Sequence, residues 1–308
     1  MTKLIPFAPD ASDEAIAFMS DANPFAQETW GWDTGRFIDW RWGPNAAKEA
    51  QQPGWFEENC AVVRSSGRIE SLVISEYGRD DLCIITREPQ PELVLEILRA
   101  VVEERRRSDR VLELVAATGA QWLRDLFAGI DLQEHPDAGH AWEYDLTIES
   151  EPAPVPPGFS ITSLADGMPG DHEGIAECVA AAFRTTHDFE RSLRSIEDNP
   201  HFRPEMIVFS MSPDGSVAAY CRGTVDPRNG ISSIDPVCTH PDFQRLGLGK
   251  AIVLACFESQ RKADGQWSYI GSAPDPAPGN RLYRALGPSR RIDMSTWKLV
   301  APGGPTAD

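Results

Sequence analysis

From Phe159 onward, hydrophobic and polar positions alternate in short runs broken by turn residues. Period-two runs predict strands at Phe159–Leu164, Glu205–Met211, Ser216–Thr224, Ile231–Thr239 and Trp267–Gly271, with a last one near Asp293–Val300. Helical spacing appears at Gly174–Phe183, Phe189–Asn199, Leu246–Ala263 and Asn280–Leu286. In Leu246–Ala263 the positions Leu248, Ile252, Ala255, Cys256 and Ser259 form one face. The first half repeats this order. Helices are expected at Glu14–Ser20, Pro91–Arg107 and Gln121–Phe127. Strands are expected at Cys60–Arg64, Ile69–Glu76, Leu82–Thr86, Val111–Ala117 and Trp142–Thr147. Between the halves lies Glu149–Gly158, with four prolines in ten residues, a composition that resists both helix and ladder. The pattern predicts two α+β domains with mixed sheets, residues 1–150 and 151–308, related as an internal repeat.

Composition adds exclusions. The 308 residues are 41% hydrophobic and 25% charged, enough apolar material for sizeable cores. No apolar run reaches the roughly 20 residues that span a bilayer, and the start MTKLIPFAPDASDE carries no secretory stretch, so a cytoplasmic location is expected. Six cysteines without a close pair suggest reduced, packed thiols, with no zinc site and no metal expected. The net charge is −18, which disfavours nucleic acid and anionic membranes as partners. That charge is uneven. Residues 1–150 carry 14 Lys and Arg against 28 Asp and Glu, whereas residues 244–298 carry nine against four, a basic island suited to a small polyanion.

The segment Asp235–Ala251, DPVCTHPDFQRLGLGKA, concentrates the chemistry. A strand ends at Thr239, a turn passes His240–Pro241, and Gln244, Arg245, Leu246, Gly247, Leu248, Gly249 and Lys250 open a helix. A helix start offers about four unpaired N–H groups and a partial positive charge, and glycines let a phosphate approach them. The P-loop pattern fails, because Gln244 and Ala251 stand where it needs Gly and Ser or Thr. The dinucleotide fingerprint fails at Ile252, where a small residue is required. The segment is a diphosphate cradle of another kind.

Thr239-His240-Pro241 with Gln244 through Gly249 resembles the acyl-CoA loop of the GNAT acetyltransferase superfamily. The helix Asn280-Arg281-Leu282-Tyr283-Arg284-Ala285-Leu286-Gly287, about thirty residues on, is similar to that family's Asn…Leu-Tyr helix. Pro288 stands where the family has an aromatic residue, which leaves the last strands open. The first half keeps the order of elements but has Arg87-Glu88-Pro89-Gln90-Pro91-Glu92 in place of the loop. It therefore looks like a degenerate GNAT domain, as in tandem members of the mycothiol synthase type.

The resemblance implies acetyl-CoA as cosubstrate and a small-molecule amine as acceptor, acetylated by direct attack in a ternary complex. Val237, Cys238 and Thr239 would line the pantetheine arm, with the Val237 N–H polarising the thioester carbonyl, and Gln244–Lys250 would hold the diphosphate. Tyr283 would protonate the departing thiolate. Asn280 would touch the arm or cap its helix. Only about 0.1% of an alkylamine is free base at neutral pH, so a proton acceptor is needed. Asp235, on the strand lining the acceptor cleft, is the candidate. His187, Asp188 and Glu190, in the segment that covers the acceptor in this family, are candidate substrate contacts, while His240 reads as a structural turn residue. Trp30, Trp32, Trp40, Trp42 and Trp55 read as core or interdomain packing, and Glu103–Arg107 as a solvated helix end. Two other readings stay open: a non-catalytic acyl-CoA-binding module, and a protein or peptide acetyltransferase. Oligomeric state and acceptor identity are not encoded in these motifs.

Overall fold

Short β-branched runs bounded by turns form the strands of one continuous sheet, with amphipathic helices on both faces. The computed structural model describes residues 2–29, 32–78, 80–108, 110–167 and 171–299; the side chains of 23–29 and 137 and the tryptophan at 30 lie outside that description. The first half runs β1 (Ile5–Pro6), α1 (Ser12–Thr29), α2 (Thr34–Trp42), α3 (Pro44–Gln51), α4 (Trp55–Asn59), β2 (Cys60–Ser65), β3 (Arg68–Ile74) and β4 (Asp81–Thr86). It continues with α5 (Pro91–Ser108), β5 (Glu113–Ala117), α6 (Gln121–Ala128) and β6 (Leu132–Asp145). After the proline-rich coil come β7 (Ser160–Ser163), α7 (Asp171–Phe183), α8 (Phe189–Glu197), β8 (Ile207–Met211), β9 (Val217–Asp226) and β10 (Ile231–Thr239). The chain ends with α9 (Leu248–Lys262), β11 (Trp267–Ser272), α10 (Pro278–Ala285) and β12 (Arg290–Leu299).

The sheet order is β1-β2-β3-β4-β5-β12-β6-β11-β10-β9-β8-β7. The last strand of each half pairs with the penultimate strand of the other, β12 with β5 and β6 with β11, and the two last strands pair with each other. The halves therefore share one ladder. Despite Pro288, β12 forms over ten residues, entered through Gly287 at φ 75°.

The tryptophan segment folds as three helices, α2 to α4, which strand-and-turn reasoning did not find. Trp32, Trp40 and Trp55 are buried with Phe7, Phe37 and Phe56, and Trp40 Nε1 donates to Ser75 O at 3.1 Å. Trp42 is half-buried beneath the Arg41 guanidinium. Helix α2 lies directly on the second half's sheet: a Cβ on Gly35 would fall 1.9 Å from Thr224 Oγ1. Only glycine permits that approach. The end of α5 departs from its expected solvation, because Arg105 turns inward and is 7% exposed. All six cysteines are free, and five of them are buried. Among the described residues no helix is long and apolar enough to cross a membrane.

Candidate active site

Strands β10 and β11 run parallel and pair at only three positions, Ile231–Ser233 against Trp267–Tyr269. Beyond Ser233 they separate, while β10 continues to Thr239 against β9. The separation leaves one edge of β10 uncovered. His240 N–H donates to Ala218 O at 2.9 Å. Because N–H groups alternate sides along an antiparallel ladder, those of Val237 and Thr239 point away from β9, toward the gap left by β11. A register shift between Ile234 and Val237 sets Asp235 and Pro236 against the single residue Arg222. Such a bulge re-aims a side chain, here the carboxylate of Asp235.

The strand leads into the glycine turn. Pro241–Phe243 make one turn of 3-10 helix, and α9 starts at Leu248 with Gly247 before it at φ 86° and ψ −2°. Arg245 is also left-handed, at φ 68°. A Cβ on Gly247 would meet nothing within 4 Å, whereas one on Gly249 would lie 3.3 Å from both Leu282 Cδ2 and Thr239 Oγ1. Gly249 is thus where α9, α10 and the end of β10 converge. Gln244, Arg245, Gly247 and Lys250 are exposed, and among the described residues neither Arg245 nor Lys250 has a carboxylate partner. Exposed amides at a helix start, with two unpaired cations beside them, can hold a polyanion. His240 serves the turn: its Nδ1 accepts from Asp242 N–H at 3.3 Å and its ring packs on Phe243.

Tyr283 is buried, and burial together with the nearby Asp235 holds its phenol well above the ordinary range, so it keeps its proton at neutral pH. Its carbonyl accepts from Tyr144 Oη of β6 at 2.9 Å, so a strand of the first half braces the helix that carries it. Asn280 does not cap α10, whose cap position is Ala277. It sits in the first turn, where Nδ2 donates to Ala273 O (3.1 Å) and Asp275 Oδ1 (2.8 Å) and so fastens the loop before the helix; among the described residues its buried Oδ1 has no partner. His187, Asp188 and Glu190 build the start of α8. Asp188 accepts from Arg191 N–H at 3.0 Å, His187 Nε2 meets Ser192 Oγ at 2.9 Å, and Glu190 pairs with Arg194 at 2.8 Å. One side-chain atom of each is thus engaged at the helix start.

Around Asp235 stand groups that sequence reasoning missed, because most come from the first half. Asp235 is exposed at the surface of the strand, yet the protein crowded around its carboxyl raises it against the pull of Arg222 and Arg36. From α2, Asp33 caps the helix, accepting from Arg36 N–H at 2.8 Å, and burial raises it too. Arg36 donates to Glu76 through Nε at 3.2 Å and Nη2 at 2.5 Å. Arg222 Nη2 donates to Asp39. Burial pushes the Asp39 carboxyl up to about 7 in spite of Arg222, and Asp235 and Asp33 add to the rise. Asp39 and Arg222 also line a cavity of about 820 Å³ between α1, α2 and β9, walled further by Ile16, Ile38, Phe202 and Met206. None of His187, Asp188 and Glu190 lines it. The only sequence signal for this cluster was the run of acidic residues in the first half. Among the described residues no group of His, Cys, Asp and Glu is arranged to hold a metal.

Residues 174–287, which span the separated strands, the turn and Tyr283, match the family model described as the acetyltransferase (GNAT) family. Within residues 174–287 the chain carries a GNAT acetyltransferase domain. Solved structures extend the likeness to the whole chain as fold. A tandem GNAT protein from the clavulanic acid biosynthesis pathway, solved without AcCoA, aligns over 100% of both chains with TM-score 0.62 and 16% identity. A GCN5-related N-acetyltransferase from Sphaerobacter thermophilus aligns over 99% of this chain and 98% of its own, with TM-score 0.60 and 14% identity. A GNAT-family acetyltransferase from Colwellia psychrerythraea covers 96% and 99%, with TM-score 0.61 and 8% identity. No curated protein matched the sequence. The two-half architecture is thus shared as a fold, and the acetyltransferase class rests on the family match over residues 174–287. The GNAT family uses acetyl-CoA.

Proposed function

We propose that the C-terminal half, residues 151–308, transfers an acetyl group from acetyl-CoA to a small-molecule amine by direct attack in a ternary complex, with residues 1–150 forming a cover that binds no coenzyme. The observation that carries this reading is the gap between β10 and β11, which bares the Val237 and Thr239 amides and runs into the Gln244–Lys250 turn. In it, the turn amides with Arg245 and Lys250 hold the diphosphate. Val237, Cys238 and Thr239 pair with the pantetheine arm through backbone groups, and the Val237 N–H donates to the thioester carbonyl as negative charge develops there. Asn280 contributes by fixing the Ala273–Asp275 loop beside the arm. Asp235, unpaired and with its carboxyl raised, draws the proton from the ammonium. The free amine attacks the carbonyl carbon, and Tyr283 protonates the thiolate as it leaves.

A small acceptor is favoured because α2 packs on the sheet that carries Asp235, with Gly35 against Thr224, and so narrows the space a peptide would need. The His187–Glu190 segment starts α8, whose Ile196 lines the cavity between α1, α2 and β9. The test is thiol release from acetyl-CoA across a panel of amines, with coenzyme binding followed separately by calorimetry. Acetyl-CoA binding with amine-dependent thiol release upholds the reading. Binding without turnover by any amine would leave a coenzyme-binding module and remove the acceptor chemistry.

A further inference from the structure

Two guanidiniums lie near Asp235, and each is already held by a carboxylate of the first half. Arg36 is engaged by Glu76 and Arg222 by Asp39. Arg222 matters more, because the β10 bulge sets Asp235 directly across from it, with α2 presenting Asp39 from the other side. Arg222 is 9% exposed, and its Nε has no partner among the described residues. A buried guanidinium with a spare donor binds whichever carboxylate is nearest. Nonetheless, among the described residues the Asp235 side chain has neither a hydrogen bond nor an ion pair. The charged and titratable groups facing Asp235 are Arg222 on β9, Asp33, Arg36 and Asp39 from α2, Glu76 and Tyr77 following β3, and Tyr283 on α10.

We propose that Asp39, contributed by the N-terminal half, is a positioning residue that holds Arg222 so that the Asp235 carboxylate stays unpaired for the acceptor's ammonium group. The half without a coenzyme loop thereby completes the acceptor site, and the acceptor class is a cationic amine. This rests on the reading of Asp235 as the carboxylate that meets the acceptor. Without Asp39, the Arg222 guanidinium turns to Asp235, occupies the ammonium's place and lowers the basicity of the proton acceptor.

The test compares Asp39→Asn, Arg222→Gln and the double variant in the full chain. An opposite charge moving onto a carboxylate shifts its affinity for a proton by one to three pK units. Asp39→Asn is therefore expected to raise the amine KM about tenfold or more and to move the acidic limb of kcat/KM to lower pH, with acetyl-CoA affinity unchanged. Adding Arg222→Gln removes the intruding cation and restores the amine KM toward wild type, and Arg222→Gln alone moves the limb to higher pH. A purely structural Asp39 would leave the limb in place, and the double variant would be no better than the single. That result overturns the proposal. Should Asp39→Asn fail to fold, Asp39→Ser takes its place, alone and combined with Arg222→Gln, and is read by the same limb and the same rescue. The crystal structure of Asp39→Asn gives a readout free of activity. Arg222 within ion-pair distance of Asp235 supports the proposal, and Arg222 remaining against residue 39 refutes it. If the wild-type protein acetylates no amine, the acetyl-transfer reading fails and this structure alone judges the role of Asp39.

Discussion

Gly247 and Gly215 offer a matched pair for testing the coenzyme cradle. Both have φ of 86°, and a Cβ on either would meet nothing within 4 Å. Alanine at either position therefore causes no clash, and its cost is the left-handed conformation alone, about 1–2 kcal/mol. That amount lowers the melting temperature by about 2–4 °C per kcal/mol in a protein of a few hundred residues. The two variants should melt alike. They should differ in coenzyme binding, because Gly215 lies in the turn between β8 and β9, whereas Gly247 precedes α9 among the amides assigned to the diphosphate. A methyl group there holds a phosphate oxygen off the backbone. One lost charge-assisted bond is worth about 1.5–3 kcal/mol; at about 1.4 kcal/mol per decade, the affinity for coenzyme A falls about tenfold to a hundredfold. Calorimetric titration of both variants with coenzyme A reads the difference. Equal affinities for Gly247→Ala and Gly215→Ala would refute the cradle, since conformational strain is common to both and only the site differs.

Other expectations concern single side chains. Tyr283→Phe should lower kcat about a hundredfold, in line with loss of a general acid, and leave coenzyme affinity nearly intact; an unchanged kcat would remove the phenol from the mechanism. Because desolvation raises the Asp235 carboxyl and the base must be ionised to act, activity should fall as the pH drops through a value above the ordinary carboxylate range. Asp235→Asn should abolish that limb of the kcat/KM profile, and a surviving limb would assign the proton to another group. Asp188→Ala should cost about 1 kcal/mol of stability, as loss of a helix cap does, with no change in the amine KM. A raised KM without lost stability would return Asp188 to the acceptor site.

Much of the second half was legible because its signals are local. Alternation located Ile231–Thr239 to the residue, and the spacing of glycines located the start of α9 within two residues. The glycine turn could be read because its chemistry lies in contiguous backbone. Asn280 misled for the same reason: asparagine near a helix start suggests a cap, and only the loop at Ala273–Asp275 shows where its amide goes. His187, Asp188 and Glu190 have types that suit a cation site, and what sequence alone does not show is that each also has a local partner, Ser192, Arg191 and Arg194 respectively, within five residues on the same helix. The three helices α2 to α4 were hidden by aromatic residues, which fit a strand or a buried helix equally well. The cluster about Asp235 was out of reach for a different reason. Asp39 meets Arg222 across 183 positions in sequence, and nothing local to either residue encodes that meeting.

The exchanged strands decide how far the halves can be treated separately. The proline-rich coil suggests a cut near residue 150, and the family match begins well after it. Yet β6, from the first half, lies between β11 and β12, pairing Trp267–Ser272 on one side and most of Arg290–Leu299 on the other. A fragment starting at residue 151 would lose that strand and bare the edge of β11, together with Ile270 and Trp267, which pack toward it. It would also lose Tyr144, whose hydroxyl braces the Tyr283 carbonyl, and α2, which covers the sheet at Thr224. An open hydrophobic edge recruits other chains. The fragment 151–308 should therefore aggregate or associate, and its thiol-release activity should be lost even where the glycine turn survives. A monomeric fragment that unfolds cooperatively in sedimentation and calorimetry would refute this, and would show that the second half can close its own sheet. Co-expression with residues 1–150 should restore a soluble complex, because the shared ladder then re-forms from two chains.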